Sequence, residues 1–179
     1  MHAKIYSNDF NRMISAVKAF VGSRGAHEFI RLEFNADDSC VTAVSCNGYC
    51  LATEHAVCEC DENDVVYVKP NMKLPRDVYI VVEKIGKDVT FRCKDFTFGY
   101  EQPLGDFIDY EKAVPKESTF RIGFNGNYLL SALQAAKVSA GGTYNNPIIL
   151  EFNGPTSPCV IRTNTSDVKM VLPLRIKDE

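Results

Sequence analysis

VTAVSCNGYCLATEHAV, residues 41–57, reads as two strands folded about Asn47-Gly48. Both flanking runs are rich in β-branched and small apolar residues, and an Asn-Gly pair between such runs is a strong hairpin signal because both residues tolerate positive φ. Working outwards, Ala36-Asp37-Asp38-Ser39 is a turn. Residues 29–34 form the strand before it, with Ile30, Leu32 and Phe34 sharing one face. Further upstream Phe10, Met13, Ile14, Val17, Phe20 and Val21 recur at helical spacing, with Asn11, Arg12 and Lys18 between them. Ser7 is the candidate cap of that helix, Gly22 and Gly25 end it, and residues 2–6 are a strand. The order over residues 2–60 is β-α-β-β-β.

The same order returns downstream. Residues 119–124 read as a strand, Asn125 caps a helix on which Leu129, Ala132, Leu133 and Ala136 share a face, and Gly141-Gly142 ends it. Residues 148–152, 159–163 and 168–174 are strands. Between these copies, residues 65–69, 78–83, 89–93 and 96–100 read as four strands. Their turns are at residues 86–88 and 94–95, and the segment over residues 70–75 is too proline-bounded for a helix. The chain is therefore expected to be α+β: three β-α-β-β-β repeats with antiparallel sheets, the middle one stripped of its helix. Two main helices are expected, near residues 8–21 and 125–138, in domains 1–112 and 113–179.

Composition sets bounds on function. Apolar residues make up 45% of the 179, enough for a real core, and the net charge of −3 provides no global basic field. No run approaches the roughly 20 apolar residues of a membrane span, and residues 1–9 do not read as a secretory signal, so a cytoplasmic protein is expected. Seven cysteines, at 40, 46, 50, 58, 60, 93 and 159, are expected as thiols. Cys46, Cys50, Cys58 and Cys60 are spaced CxxxC and CxC within strands, which poorly suits a tetrahedral zinc site, and no cofactor is expected. His2, His27 and His55 have no evident triad partners, no phosphate-binding glycine loop occurs, and Asp37, Asp38, Asp61, Glu62 and Asp64 lie in turn-like segments. An enzyme is not expected.

Three stretches resemble the bacterial sliding clamp, the DNA polymerase III beta subunit. VSCNGYCLA at residues 44–52 resembles the clamp's middle-domain pattern threonine-aspartate-glycine-histidine-arginine-leucine-alanine, with Asn47, Tyr49 and Cys50 replacing the aspartate, histidine and arginine. Gly105-Asp106-Phe107-Ile108-Asp109-Tyr110, followed by Val114-Pro115-Lys116, resembles the segment joining the middle and last domains. Ile122-Gly123-Phe124-Asn125 with Tyr128-Leu129, and the tail Met170-Val171-Leu172-Pro173-Leu174-Arg175-Ile176, resemble the last half-domain and its methionine-proline-methionine-arginine-leucine end. The resemblance covers nearly the whole chain. It departs in having no first domain, no helix in the second repeat and no first half of the last domain.

The resemblance implies a clamp-like processivity or scaffold protein of replication or repair. Its groove would receive short peptides from polymerases or repair proteins, between the first and third repeats. The positions it carries over are Phe29, Cys46, Gly48, Tyr49, Cys50, Leu51, Pro115, Asn125, Tyr128, Met170, Leu172, Pro173, Leu174 and Arg175. Met170, Leu172, Leu174 and Tyr49 would form the floor, and Asn125, Tyr128 and Arg175 the polar groups. Arg12, Lys18, Arg24 and Lys137 are the candidates for a DNA-facing surface that touches phosphates without reading sequence. The alternative is a peptide-binding adaptor or decoy that does not encircle DNA. A homodimer joined through residues 119–176 is expected, since a third repeat has no sister repeat within the chain.

Overall fold

The computed structural model describes residues 1–72, 74–75, 77–141 and 146–176. It divides into two compact units, Met1–Val114 and Pro115–Glu179, taken separately below.

The N-terminal unit is one antiparallel sheet of eight strands in the order β5-β2-β3-β4-β1-β6-β7-β8. Its elements are β1 (His2–Tyr6), helix α1 (Ser7–Val17), β2 (Ile30–Asn35), β3 (Cys40–Cys46), β4 (Leu51–Cys60), β5 (Asp64–Val68), β6 (Tyr79–Ile85), β7 (Asp88–Cys93) and β8 (Phe96–Glu101). The first two repeats thus share one sheet, exchanging first strands: β1 pairs with β6, and β5 with β2. Ile30, Leu32 and Phe34 alternate inwards with Ala3, Ile5, Ile80, Val82, Val89 and Phe91, and Phe10, Met13, Ile14 and Val17 of α1 cover them. The sheet curls until its edges meet. Gln102, just past β8, accepts from Tyr67 N at 2.5 Å and donates to Tyr67 O at 3.2 Å, and the Tyr100 hydroxyl also donates to Tyr67 O. Side chains, not a backbone ladder, close that seam.

Two local expectations change here. Ser7 is not a cap: β1 runs straight into α1, Tyr6 holds the cap position without a side-chain bond, and Ser7 is buried with its N–H donated to Val78 O. The hairpin about Asn47-Gly48 forms as expected, with residues 47–50 as its loop, since Cys46 pairs with Leu51. The helix expected over residues 8–21 ends its α-helical part at Val17 and continues as a 3-10 turn, Lys18–Phe20. The described residues of 70–75 form no helix; Lys73 lies outside them. A four-residue helix, α2 (Tyr110–Ala113), was not legible in the sequence.

The C-terminal unit carries α3 (Gly126–Ser139) against a three-stranded antiparallel sheet in the order β11-β10-β9, from β9 (Ile149–Glu151), β10 (Cys159–Arg162) and β11 (Val168–Val171). Its core is small: Ala136, Cys159, Ile161 and Val171, with Phe124, Leu129, Ala132, Leu133 and Ile148 packed around them. The strand expected over residues 119–124 is absent except for one bridge, Gly123 to Leu174. The strand expected to Leu174 stops at Val171 because Pro173 has no N–H to give. Gly141 ends α3 at φ +73; Gly142 lies outside the described residues.

Candidate functional site

The expected groove residues fall into two groups, one in each unit. In the N-terminal unit, Cys46, Gly48, Tyr49, Cys50 and Leu51 surround the β3–β4 loop. Asn47 holds the loop: its Oδ1 accepts from Tyr49 N at 3.0 Å and Cys50 N at 2.8 Å, while its own N–H donates to Cys50 O at 3.1 Å. Gly48 takes φ +88 at the tip, a conformation that L side chains rarely adopt. The loop is tied to the end of α1, since the Ser45 hydroxyl donates to Val17 O. Gly22 packs so closely that a Cβ there would lie 3.2 Å from Cys46 O. This rigid base leaves Tyr49 86% exposed, with Cys46 buried beneath it and Phe29 half-buried.

In the C-terminal unit, Asn125 caps α3, its Oδ1 accepting from Asn127 N at 3.0 Å and Tyr128 N at 3.3 Å. That oxygen is therefore occupied by the helix. Met170, Leu172 and Tyr128 are exposed. The tail is pinned by Leu174 N donating to Gly123 O at 2.8 Å. Gly123 is needed there, because a Cβ would lie 2.9 Å from Ile176 Cγ1. Beside this bridge is an open groove of about 930 Å³, lined by Ser118, Phe120, Arg121, Pro155, Thr156, Pro173, Leu174, Arg175 and Ile176. Three expected residues, Pro173, Leu174 and Arg175, line it; Asn125, Tyr128, Met170 and Leu172 are not among its lining. Ser118, Phe120, Arg121, Pro155, Thr156 and Ile176 were missed. Ile176 lies in the matched tail and Phe120 close to the matched Ile122-Gly123-Phe124-Asn125, which was the available signal, whereas Pro155 and Thr156 arrive through a loop with none.

Pro115 is exposed. Just before it, Tyr110 anchors α2 to the N-terminal unit by donating its hydroxyl to Glu33 Oε2 at 2.7 Å; burial, then that carboxylate, pushes the phenol's pKa well up.

Of the candidate DNA-facing cations, Arg12 is spoken for. Its guanidinium bonds to Glu54 and to His55 O, with Asp9 at 3.7 Å. Lys18, Arg24 and Lys137 are exposed. Among the described residues, no three His, Cys, Asp or Glu side chains gather as a metal site. The Cys58 and Cys60 sulfurs lie 3.7 Å apart, and burial, then the Cys60 contact, pushes the Cys58 thiol up to about 12. No helix among the described residues is long and apolar enough to cross a membrane.

No protein-family model matches the sequence, and no curated protein matches it. Solved structures do. A DNA polymerase III beta subunit from Pseudomonas aeruginosa is similar at TM-score 0.82 and 16% identity, over 97% of this chain and 50% of that one. The DNA polymerase sliding clamp of Bacillus subtilis is similar at TM-score 0.78 and 14% identity, over 100% of this chain and 50% of that one. The beta subunit from Thermotoga maritima is similar at TM-score 0.70 and 14% identity, over 99% and 66%. The chain has the sliding-clamp fold and spans half the length of the first two clamps.

Proposed function

We propose that this clamp-fold chain is a non-enzymatic scaffold of DNA replication or repair that holds partner proteins by short linear peptides at the tail groove of its C-terminal unit. The observation that carries the reading is the tail itself. Gly123 pins Leu174 beside a groove of about 930 Å³ whose walls mix apolar Phe120, Leu174 and Ile176 with the cations Arg121 and Arg175. A peptide site needs this combination of an apolar floor and a few polar groups to fix the ligand. The reading places the protein in the cytoplasm beside polymerase or repair partners, as a homo-oligomer with no cofactor of its own.

Calorimetry with a peptide rich in glutamine, leucine and phenylalanine tests it. Binding is expected in the wild-type chain and is abolished in Leu174→Asp, because an unpaired carboxylate would be buried against an apolar ligand. Leu172→Asp, outside the groove lining, is expected to weaken binding less. Unchanged affinity in Leu174→Asp would remove the groove assignment.

A second reading, an adaptor that does not encircle DNA, is favoured by one observation. Arg12, the cation at the centre of α1, is neutralised by Glu54 and Asp9, which weakens the counterion-release contribution to duplex binding.

A further inference from the structure

We propose that Cys58 and Cys60 form a dithiol binding site that captures a trivalent thiophilic centre, of the class R–As(OH)2, by bonding it through both sulfurs. The two residues are two apart on β4, so their side chains share one face of the sheet. Cys58 Sγ donates to Cys60 Sγ at 3.7 Å, and no other sulfur–sulfur hydrogen bond occurs among the described residues. Strand β1 lies alongside, with Ile5 opposite Cys58 and Ala3 opposite Cys60. Cys58 is buried. Cys60, the last residue of the strand, is half-buried and is the sulfur that a reagent meets first.

The separation decides which chemistry the pair can do. Two strand steps of about 3.3 Å set the two Cα atoms about 6.6 Å apart, at the far end of the range a disulfide spans, and a disulfide also needs its Cβ atoms within about 4.5 Å. Parallel side chains on one face do not meet that condition unless the strand contracts. Backbone bonds on both sides oppose contraction: Cys58 N donates to Ser39 O at 3.0 Å, and β1 pairs with residues 58–60. A single bridging atom needs no such movement. Bonded to each sulfur at about 2.3 Å, a usual length for a thiophilic centre, it spans 3.7 Å at an angle of about 107°.

Donor count and charge select the centre. A tetrahedral zinc ion asks for four ligands, and among the described residues no third His, Cys, Asp or Glu side chain joins the pair. A trivalent arsenical carries its own third substituent and asks for two. A cation would also displace both thiol protons and leave charge in an apolar setting beside Ala3 and Ile5, both 0% exposed. Burial already holds the Cys58 thiol protonated, its pKa pushed up to about 12. With the arsenical no charge is left behind. The Cys60 thiol replaces one arsenic hydroxyl and the Cys58 thiol the other. Two As–S bonds form, two As–O bonds break, and each thiol proton leaves in a water molecule. Arsenic stays trivalent, no oxidant is needed, and the adduct is neutral. This inference rests on the N-terminal unit alone and is independent of the peptide reading.

Mass spectrometry of the intact 179-residue chain with phenylarsine oxide tests it. One phenylarsenic group per folded chain is expected, mapped to Cys58 and Cys60 by their protection from alkylation once the chain is unfolded. The second bond closes within the molecule, so the adduct should withstand on the order of a hundredfold more monothiol competitor than a one-sulfur adduct, and a dithiol should strip it. Cys58→Ser and Cys60→Ser should each lose that resistance, and Cys50→Ser should keep it. Because Cys60 is half-buried, its variant reads the site without emptying the core. The absence of a monothiol-resistant adduct on the folded chain would overturn the proposal. So would resistance that survives Cys60→Ser, or an adduct that maps to other cysteines.

Discussion

Cys58 and Cys50 lie on one strand and in the loop before it, yet their environments are opposite. Cys50 is exposed, whereas Cys58 is buried at 2% exposure with its thiol pushed up to about 12 from an ordinary value of 9.0. Only a thiolate attacks an alkylating reagent. At pH 8, mass-mapped alkylation is expected to label Cys50 readily and Cys58 only on unfolding. A raised folded-state pKa means that the folded chain keeps a proton that the unfolded chain loses, so stability is full below pH 9 and falls as pH rises towards 12. Denaturant titrations should show a shallower alkaline loss in Cys58→Ala; an identical slope would mean that Cys58 is not held protonated. Asn125 illustrates a residue whose role divides. It was legible as a cap from its place before an apolar-periodic run, and the structure shows that oxygen bonded to Asn127 and Tyr128. Asn125→Ala should therefore cost about 1 kcal/mol of stability, measured by chemical denaturation, whatever it does to peptide binding.

Strands depend on neighbours, and this separates the elements that the sequence announces from those it does not. Helix α1 and the β3–β4 hairpin follow from spacing within a single segment, so periodicity found them. Residues 119–124 carry a strand-like pattern as clear as that of residues 2–6, but β1 has a neighbour on both sides and residues 119–124 have only the tail. Ser7 looked like a cap because Ser favours caps, but a strand running directly into a helix leaves no turn for it to close. A third of the groove lining was legible: Pro173, Leu174 and Arg175 came from a motif, whereas Pro155 and Thr156 are brought in by folding alone. The seam between β5 and β8 was not legible at all, since it is made by the side chains of Gln102 and Tyr100 reaching the backbone groups of Tyr67. Gln102→Ala leaves the part-buried Tyr67 N–H without its partner, while Tyr67 O keeps the Tyr100 hydroxyl, and should cost about 1–3 kcal/mol. Thermal unfolding that is unchanged in that variant would show that the edges are held by packing instead.

At the scale of the whole molecule, charge limits what the clamp fold can do here. The net charge is −3, and of the four candidate cations Arg12 is committed to Glu54 and His55. With three remaining, the logarithm of any duplex affinity should fall against the logarithm of salt with a slope of about −3 or shallower, read by fluorescence anisotropy. A much steeper slope would mean a basic surface other than these side chains. Partner binding carries the functional account instead, and its most direct test is a crystal structure of the chain with the glutamine-, leucine- and phenylalanine-rich peptide. The account predicts peptide side chains seated between Phe120 and the Pro173–Ile176 tail, against Leu174 and within reach of Arg121 and Arg175; a peptide bound elsewhere, or an empty groove at saturating peptide, would contradict it.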